Sequence, residues 1–162
     1  MSNNGRPAVL FVCLGNICRS PLAEAAFRRE ARKAGLDIEI DSAGTGDWHV
    51  GSLPDERSQA VAMEAGVDIS DQRARQLTQD DYRRFTHIFA MDAQNLADIK
   101  DRAPADATAS IALLMDVVPG REGASIADPY HGGEENFADT WEDATAAAKA
   151  LVGKLSGRTV SE

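Results

Sequence analysis

Apolar and polar positions alternate along this chain in two different rhythms, and the switches between them outline the elements. Ala8 to Val12 is an unbroken apolar run of strand length, the pattern of a strand covered on both faces. A helical stretch follows, with Ser20 in a position to cap it, Pro21 suited to its first turn and Gly35 to end it. Leu36, Ile38 and Ile40 then alternate with Asp37, Glu39 and Asp41, the period-two pattern of a half-exposed edge strand. Asp55 to Ala65 reads as a helix stopped by Gly66, and Phe85 to Met91 as another buried strand. Asp92 is placed to cap a short helix, Ser110 to Leu114 is a fourth candidate strand, and Asn136 to Leu155 is a long alanine-rich closing helix.

Strands alternating with helices predict parallel βαβ units joined by right-handed crossovers. An edge strand second in sequence predicts a four-stranded parallel sheet in the order 2-1-3-4, with helices on both faces. Such sheets bind ligands at the carboxyl ends of their strands, beside the switch in strand order. The expected site is therefore the end of the first strand, at Cys13.

Size and composition narrow the possibilities. The 162 residues suffice for one domain, taken here as 1–162, with 43% hydrophobic and 27% charged residues. No repeat, low-complexity linker or shift in composition marks a second domain. The net charge is −9, from 17 basic and 26 acidic residues, and no basic patch is visible. That balance repels nucleic acid and anionic lipid, so neither is an expected partner. Met1 to Arg6 is polar, and the apolar run Pro7 to Leu14 is too short for a membrane span or signal peptide, which predicts a cytoplasmic protein. Both cysteines, Cys13 and Cys18, lie in one short segment, where a reducing compartment disfavours a structural disulfide.

That segment carries the chemistry. Cys13-Leu-Gly-Asn-Ile-Cys-Arg19-Ser20 joins a buried strand to a helix start. Eight residues there can turn backbone N–H groups inward around one tetrahedral dianion, aided by the positive end of the helix. Leu14, Gly15, Asn16, Ile17, Cys18 and Ser20 are the expected phosphate-binding residues, and Gly15 and Asn16 tolerate the positive φ that a tight loop demands. Arg19 offers a planar fork for two phosphoryl oxygens. The same donors favour the thiolate of Cys13 as a nucleophile, and Ser20 can donate to its sulfur. Cys18 reads either as a small loop filler or as a redox partner for Cys13. A tyrosinate leaving group needs an acid, and the best candidate is Asp128, in Asp128-Pro-Tyr-His-Gly132. Tyr130 beside it, and Trp48, are expected as walls of the cleft. The histidines His49, His87 and His131 fall in no metal-ligand spacing, so no metal or other cofactor is expected. His87 reads as a core residue, and the pairs Asp80-Asp81 and Glu134-Glu135 as solvated faces.

Over nearly its full length the chain resembles the low-molecular-weight protein tyrosine phosphatases. Three blocks carry the resemblance: Val9 to Pro21, Asp41-Ser-Ala-Gly-Thr45 followed by Trp48-His-Val-Gly51, and Asp128-Pro-Tyr130. Arg73-Ala-Arg-Gln76 and Met91-Asp92 also look like segments of that family. The resemblance implies Cys13 as nucleophile, Arg19 as phosphate and transition-state binder, and Asp128 as general acid and later base. It also implies loop support from Asn16, Ser20 and Ser42, and a phosphotyrosine-containing protein, with phosphate as product, as the partners. Two departures stand out. His131 replaces the second tyrosine that many members carry after the Asp-Pro, which alters the pocket rim. Asp71 and Gln72 stand where some members carry a loop-supporting histidine. Conventional tyrosine phosphatases place a histidine before the cysteine, where Val12 stands here. Arsenate reductases of the same fold need cysteines downstream of Cys18, and a non-catalytic phosphoprotein-binding module predicts loss of Cys13, Arg19 or Asp128. All three of those residues are present, and no third cysteine is.

Overall fold

The computed structural model describes residues 7–160, the side chains of 157–160 excepted, so the polar Met1 to Arg6 lies outside the described residues. Four strands, β1 (Ala8–Cys13), β2 (Glu39–Gly44), β3 (His87–Ala90) and β4 (Ser110–Leu113), form one parallel sheet in the order β2-β1-β3-β4. This is the predicted architecture. Among the described residues, five helices surround the sheet: α1 (Arg19–Ala34), α2 (Glu56–Glu64), α3 (Asp81–Arg84), α4 (Ala93–Asp101) and α5 (Glu134–Val160). A 3-10 turn, Leu114–Val117, follows β4.

Successive side chains of a strand point to opposite faces, so the apolar run of β1 feeds two cores. Val9, Phe11 and Cys13 face α1 and α5 with Phe89 and Met91, while Ala8, Leu10 and Val12 pack with Tyr82, Phe85 and Ile99 on the α3–α4 side. Phe11 lies edge-on to Phe27 of α1 at 5.7 Å and stacks on Phe89 at 6.2 Å. Alanines line the α1–α5 contact (Ala23, Ala26, Ala144, Ala147, Ala148), which lets the two helix backbones approach closely.

Element boundaries move where tertiary contacts overrule local pattern. β2 begins at Glu39, so Leu36 and Ile38 precede the strand and pack against the α1–α5 core. Asp92 caps α4 as read, accepting the Asn95 amide, and Asp55, read as the first residue of its helix, instead caps α2 by accepting the Arg57 amide. Ser20 does not cap α1. The N-cap position is Cys18, without a side-chain cap, and Ser20 lies inside the helix. The first amides of α1 are thereby left for something outside the helix. Helix α3 has no hydrophobic period to announce it. Its Asp81, read as solvated, is 3% exposed and accepts from Arg75 through both carboxylate oxygens and from the Thr78 amide. His87 is half-buried rather than core, bonded to Thr86 and stacked on Phe89. Glu134 and Glu135 are exposed, as expected. No helix among the described residues is long and apolar enough to cross a membrane.

Candidate active site

The carboxyl ends of all four strands supply the site. β1 leads into the Cys13 loop, β2 into the segment holding Trp48, β3 into Asp92, and β4 through the 3-10 turn towards Asp128. Parallel order makes these ends neighbours, although the residues span 115 positions (128 − 13) in sequence.

Cys13 is the last residue of β1 and is 3% exposed. Its Sγ accepts the Asn16 amide at 3.3 Å and lies 3.1 Å from Ser20 Oγ. Asn16 makes the sharp bend, at φ 59°, and no other described non-glycine residue has positive φ. Gly15, expected to share that role, does not adopt it. Its missing side chain instead leaves room for His49, whose ring a Cβ would meet at 2.9 Å. Gly44 has a similar duty: a Cβ there would lie 2.8 Å from the Leu14 carbonyl, so the loop can cross β2 only at a glycine.

Asn16 ties the loop down from behind. Its Nδ2 donates to Ser20 Oγ at 2.8 Å and to Ser42 Oγ at 3.0 Å, and its Oδ1 accepts the Arg75 amide at 3.0 Å. Ser42 donates to Glu24 Oε1 at 2.7 Å, and Glu24 Oε2 takes Arg28 Nε at 2.8 Å. The direction of every bond follows from the ends. The Glu24 carboxylate only accepts, so Ser42 spends its proton there and receives from Asn16. Ser20 likewise receives from Asn16, which leaves its own proton for the Cys13 sulfur. Burial holds the Glu24 carboxyl above the usual carboxylate range, opposed by its bonds to Ser42 and Arg28. Asn16, Ser20 and Ser42 thus lie beneath the loop as its support. A larger hollow of about 640 Å³ opens beyond this network, along Glu24, Arg28 and Ser42, and no cysteine or histidine lines it.

The cleft itself measures about 210 Å³ and brings together Cys13, Leu14, Gly15, Ile17, Cys18, Arg19, Trp48, His49, Asp128, Tyr130 and His131. Among the described residues, the amides of Gly15, Ile17, Cys18 and Arg19 meet no protein acceptor. Such a run of unpaired donors at a helix start is suited to an anion. Arg19 is 3% exposed, its Nη1 fixed by Asp92 Oδ2 at 2.6 Å and the Ile126 carbonyl at 3.0 Å. Its Nη2 stands 3.7 Å from Asp128 Oδ2. Asp128 keeps a half-exposed side chain and accepts the Tyr130 amide at 3.1 Å. Tyr130 and His131 meet edge to face at 5.0 Å on the rim, and Trp48, 70% exposed, folds back over Gly46. Cys18 is a buried thiol pushed up to about 12, first by burial and then by the negative charges of Asp55, Cys13 and Asp128. It is therefore a neutral filler in the resting loop. Both cysteines are free.

Several residues here were not singled out from sequence. Asp92 read as a helix cap and as part of a family-like segment, yet it also aims Arg19; its place just past β3 was the available signal. Arg75, expected only as part of a family-like segment, pairs with Asp41 and Asp81 and supports Asn16. Gln72, in place of a histidine, reaches the Pro21 carbonyl at 3.4 Å. His49 stood in the family-like block Trp48-His-Val-Gly51, but nothing local showed that its ring would meet Gly15.

Known proteins resemble this chain in sequence and fold. The low molecular weight phosphotyrosine protein phosphatase of Schizosaccharomyces pombe is 45% identical over 136 residues, 82% of this chain and 86% of that protein. The solved structure of YfkJ from Bacillus subtilis superposes with a TM-score of 0.88 at 38% identity, covering 95% of this chain and 97% of the other. The Drosophila arginine phosphatase DARP superposes at 0.86 with 32% identity, covering 91% and 96%. The family model described as low molecular weight phosphotyrosine protein phosphatase matches residues 8–160, and with these likenesses it establishes that the chain belongs to that family.

Proposed function

We propose that this chain, as one catalytic domain over 1–162, hydrolyses phosphotyrosine in proteins, and small aryl phosphates, through a phosphocysteine on Cys13. The observation that carries the reading is the convergence of a buried sulfur, a fixed guanidinium and a half-exposed carboxyl on one cleft. The substrate phosphoryl group sits in the loop of residues 14–19, its oxygens taken by the unpaired amides and the Arg19 fork. Cys13 Sγ attacks phosphorus in line. The S–P bond forms as the P–O bond to the ring breaks, and Asp128 protonates the departing phenolate oxygen. Water then attacks the phosphocysteine, giving its proton to the Asp128 carboxylate. Inorganic phosphate leaves, and the thiolate that returns is stabilised by the Ser20 hydroxyl and the Asn16 amide. No step calls for a metal, since thiolate, guanidinium and amides supply nucleophile and charge stabilisation.

Trp48 and Tyr130 on the rim favour a flat ring of phosphotyrosine length over the shorter phosphoserine. Two free thiols suit the reducing cytoplasm proposed as its compartment. The test is turnover of a phosphotyrosine peptide and of p-nitrophenyl phosphate. Cys13→Ser should abolish both, and Arg19→Ala should cost about 2–4 kcal/mol of transition-state binding, as for a comparable oxyanion donor. Near-normal rates in either variant would remove this loop from the reaction. Faster turnover of phosphoarginine than of phosphotyrosine would place the chain with its arginine phosphatase relative in substrate class.

A further inference from the structure

The segment carrying Asp128 is tied to the rest of the molecule by a residue outside the cleft. Arg57 stands in the first turn of α2, and its guanidinium forks onto the preceding Asp55: Nε to Oδ1 at 3.0 Å and Nη2 to Oδ2 at 3.0 Å. Asp55 is itself fixed twice. Its Oδ1 caps α2 by accepting the Arg57 amide at 2.9 Å, and its own amide donates to the Ile17 carbonyl at 2.8 Å, within the phosphate-binding loop. The base of the fork is therefore anchored to the floor of the site. The remaining Arg57 nitrogen, Nη1, donates to the Gly132 carbonyl at 3.2 Å. The guanidinium also lies 5.6 Å from the Tyr130 ring and 4.5 Å from the Phe137 ring. Arg57 thus touches the acid segment on both sides of His131, and the first turn of the helix that follows.

Other ties of that segment are few. Among the described residues, the polar ties of 127–132 to the remainder of the protein are those of Arg57 and the 3.7 Å approach of Arg19 to Asp128, beside the buried ring of Pro129. The Arg57 bonds also hold the Asp55 carboxyl below the usual carboxylate range, so the fork keeps both charges at neutral pH. Proton transfer needs heavy atoms within about 3 Å, and a segment free to drift by about 1 Å would miss that range.

We propose that Arg57 is a positioning residue for leaving-group protonation: held by Asp55 to the phosphate-binding loop, it grips Gly132 and Tyr130 and so aims Asp128 at the departing oxygen. The proposal rests on the reading of Asp128 as the acid. It assigns Arg57 no contact with substrate.

The test compares kcat/KM for phenyl phosphate, a poor leaving group, and p-nitrophenyl phosphate, a good one. The proteins are wild type, Arg57→Gln, Arg57→Lys, Asp128→Ala and the Arg57→Gln/Asp128→Ala double variant. Arg57→Gln should lose about tenfold on phenyl phosphate and under about twofold on p-nitrophenyl phosphate, with competitive inhibition by inorganic phosphate unchanged. Arg57→Lys, which keeps the charge but not the fork, should fall between. In the Asp128→Ala background the Arg57→Gln loss on phenyl phosphate should shrink below about twofold, because the group it positions is gone. Equal losses on both substrates, or an undiminished loss without Asp128, would overturn the proposal and reduce Arg57 to a structural tie. If Asp128→Ala itself shows no leaving-group dependence, the acid lies elsewhere and the proposal falls with that reading. Thermal unfolding of each protein accompanies the series, and a poorly folded Arg57→Gln leaves Arg57→Lys to decide.

Discussion

The Cys13 loop and the Asp128 segment face each other across one cleft, but they are built on opposite plans. The loop is buried and braced from behind: Asn16 alone makes three side-chain bonds, Ser42 and Glu24 extend the network, and Gly44 lets the backbone lie against β2. The Asp128 segment is half-exposed, and Arg57 grips it from outside the cleft. The chemistry proposed for this cleft, with Asp128 as its acid, asks for both. Oxyanion donors must stand ready before the phosphoryl group arrives, since reorganising them during reaction would forfeit their advantage. The acid segment must admit a protein side chain and still deliver a proton. Rigidity therefore belongs to the floor and restraint without burial to the wall.

The floor should be the more brittle of the two. Gly44→Ala pushes a methyl against the Leu14 carbonyl, and the loop has to shift to accept it. Displacement on that scale should cost about a hundredfold in kcat/KM for every substrate, whatever its leaving group. A Gly44→Ala protein with intact activity would show that the loop tolerates movement. Change in the wall should instead be selective. Asp128→Ala should lower kcat/KM by about 10²–10⁴-fold for phenyl phosphate or phosphotyrosine, and by much less for p-nitrophenyl phosphate. A leaving-group series with equal losses throughout would separate Asp128 from proton transfer.

The rim should matter least to turnover. Trp48→Ala removes ring stacking of about 0.5–1.5 kcal/mol, so aryl substrates should lose roughly two- to tenfold. Inorganic phosphate, which touches only the floor, should inhibit as before. An equal loss of phosphate affinity would mean that Trp48 shapes the loop as well as the rim.

The smallest expected effect lies in stability and concerns the bracing network. Burial raises the Glu24 carboxyl in the folded state, so between the ordinary and the raised value the folded protein binds the proton that the unfolded chain has released. Its contribution to stability is present below the unfolded value and is lost as pH rises through the folded one. Denaturant unfolding at a series of pH values should show wild type losing stability relative to Glu24→Gln over that interval. Parallel curves for the two proteins would remove Glu24 from the pH dependence.

Much of this was legible without coordinates. The apolar run from Ala8, the helix stops at Gly35 and Gly66 and the cap Asp92 are local signals, each settled by the preferences of one residue and its chain neighbours. The sheet order followed from one strand reading as an edge. Where expectation failed, a distant contact had outweighed a local rule. Ser20 is a good capping residue, but Cys13 and Asn16 claim its hydroxyl. Asp81 belongs to an acidic pair of surface type, but Arg75 draws it inside.

The division has a physical basis. Periodicity, turn chemistry and the spacing of Cys13, Arg19 and Ser20 depend on residues near one another in the chain, and these were sufficient for the architecture and the floor of the site. The second duty of Asp92, the grip of Arg57 on Gly132 and the meeting of His49 with Gly15 join segments 34 to 75 residues apart (49 − 15 and 132 − 57). No local pattern encodes such pairs. They exist because parallel strands bring their carboxyl ends to one edge of the sheet, and folding alone determines which side chains meet there.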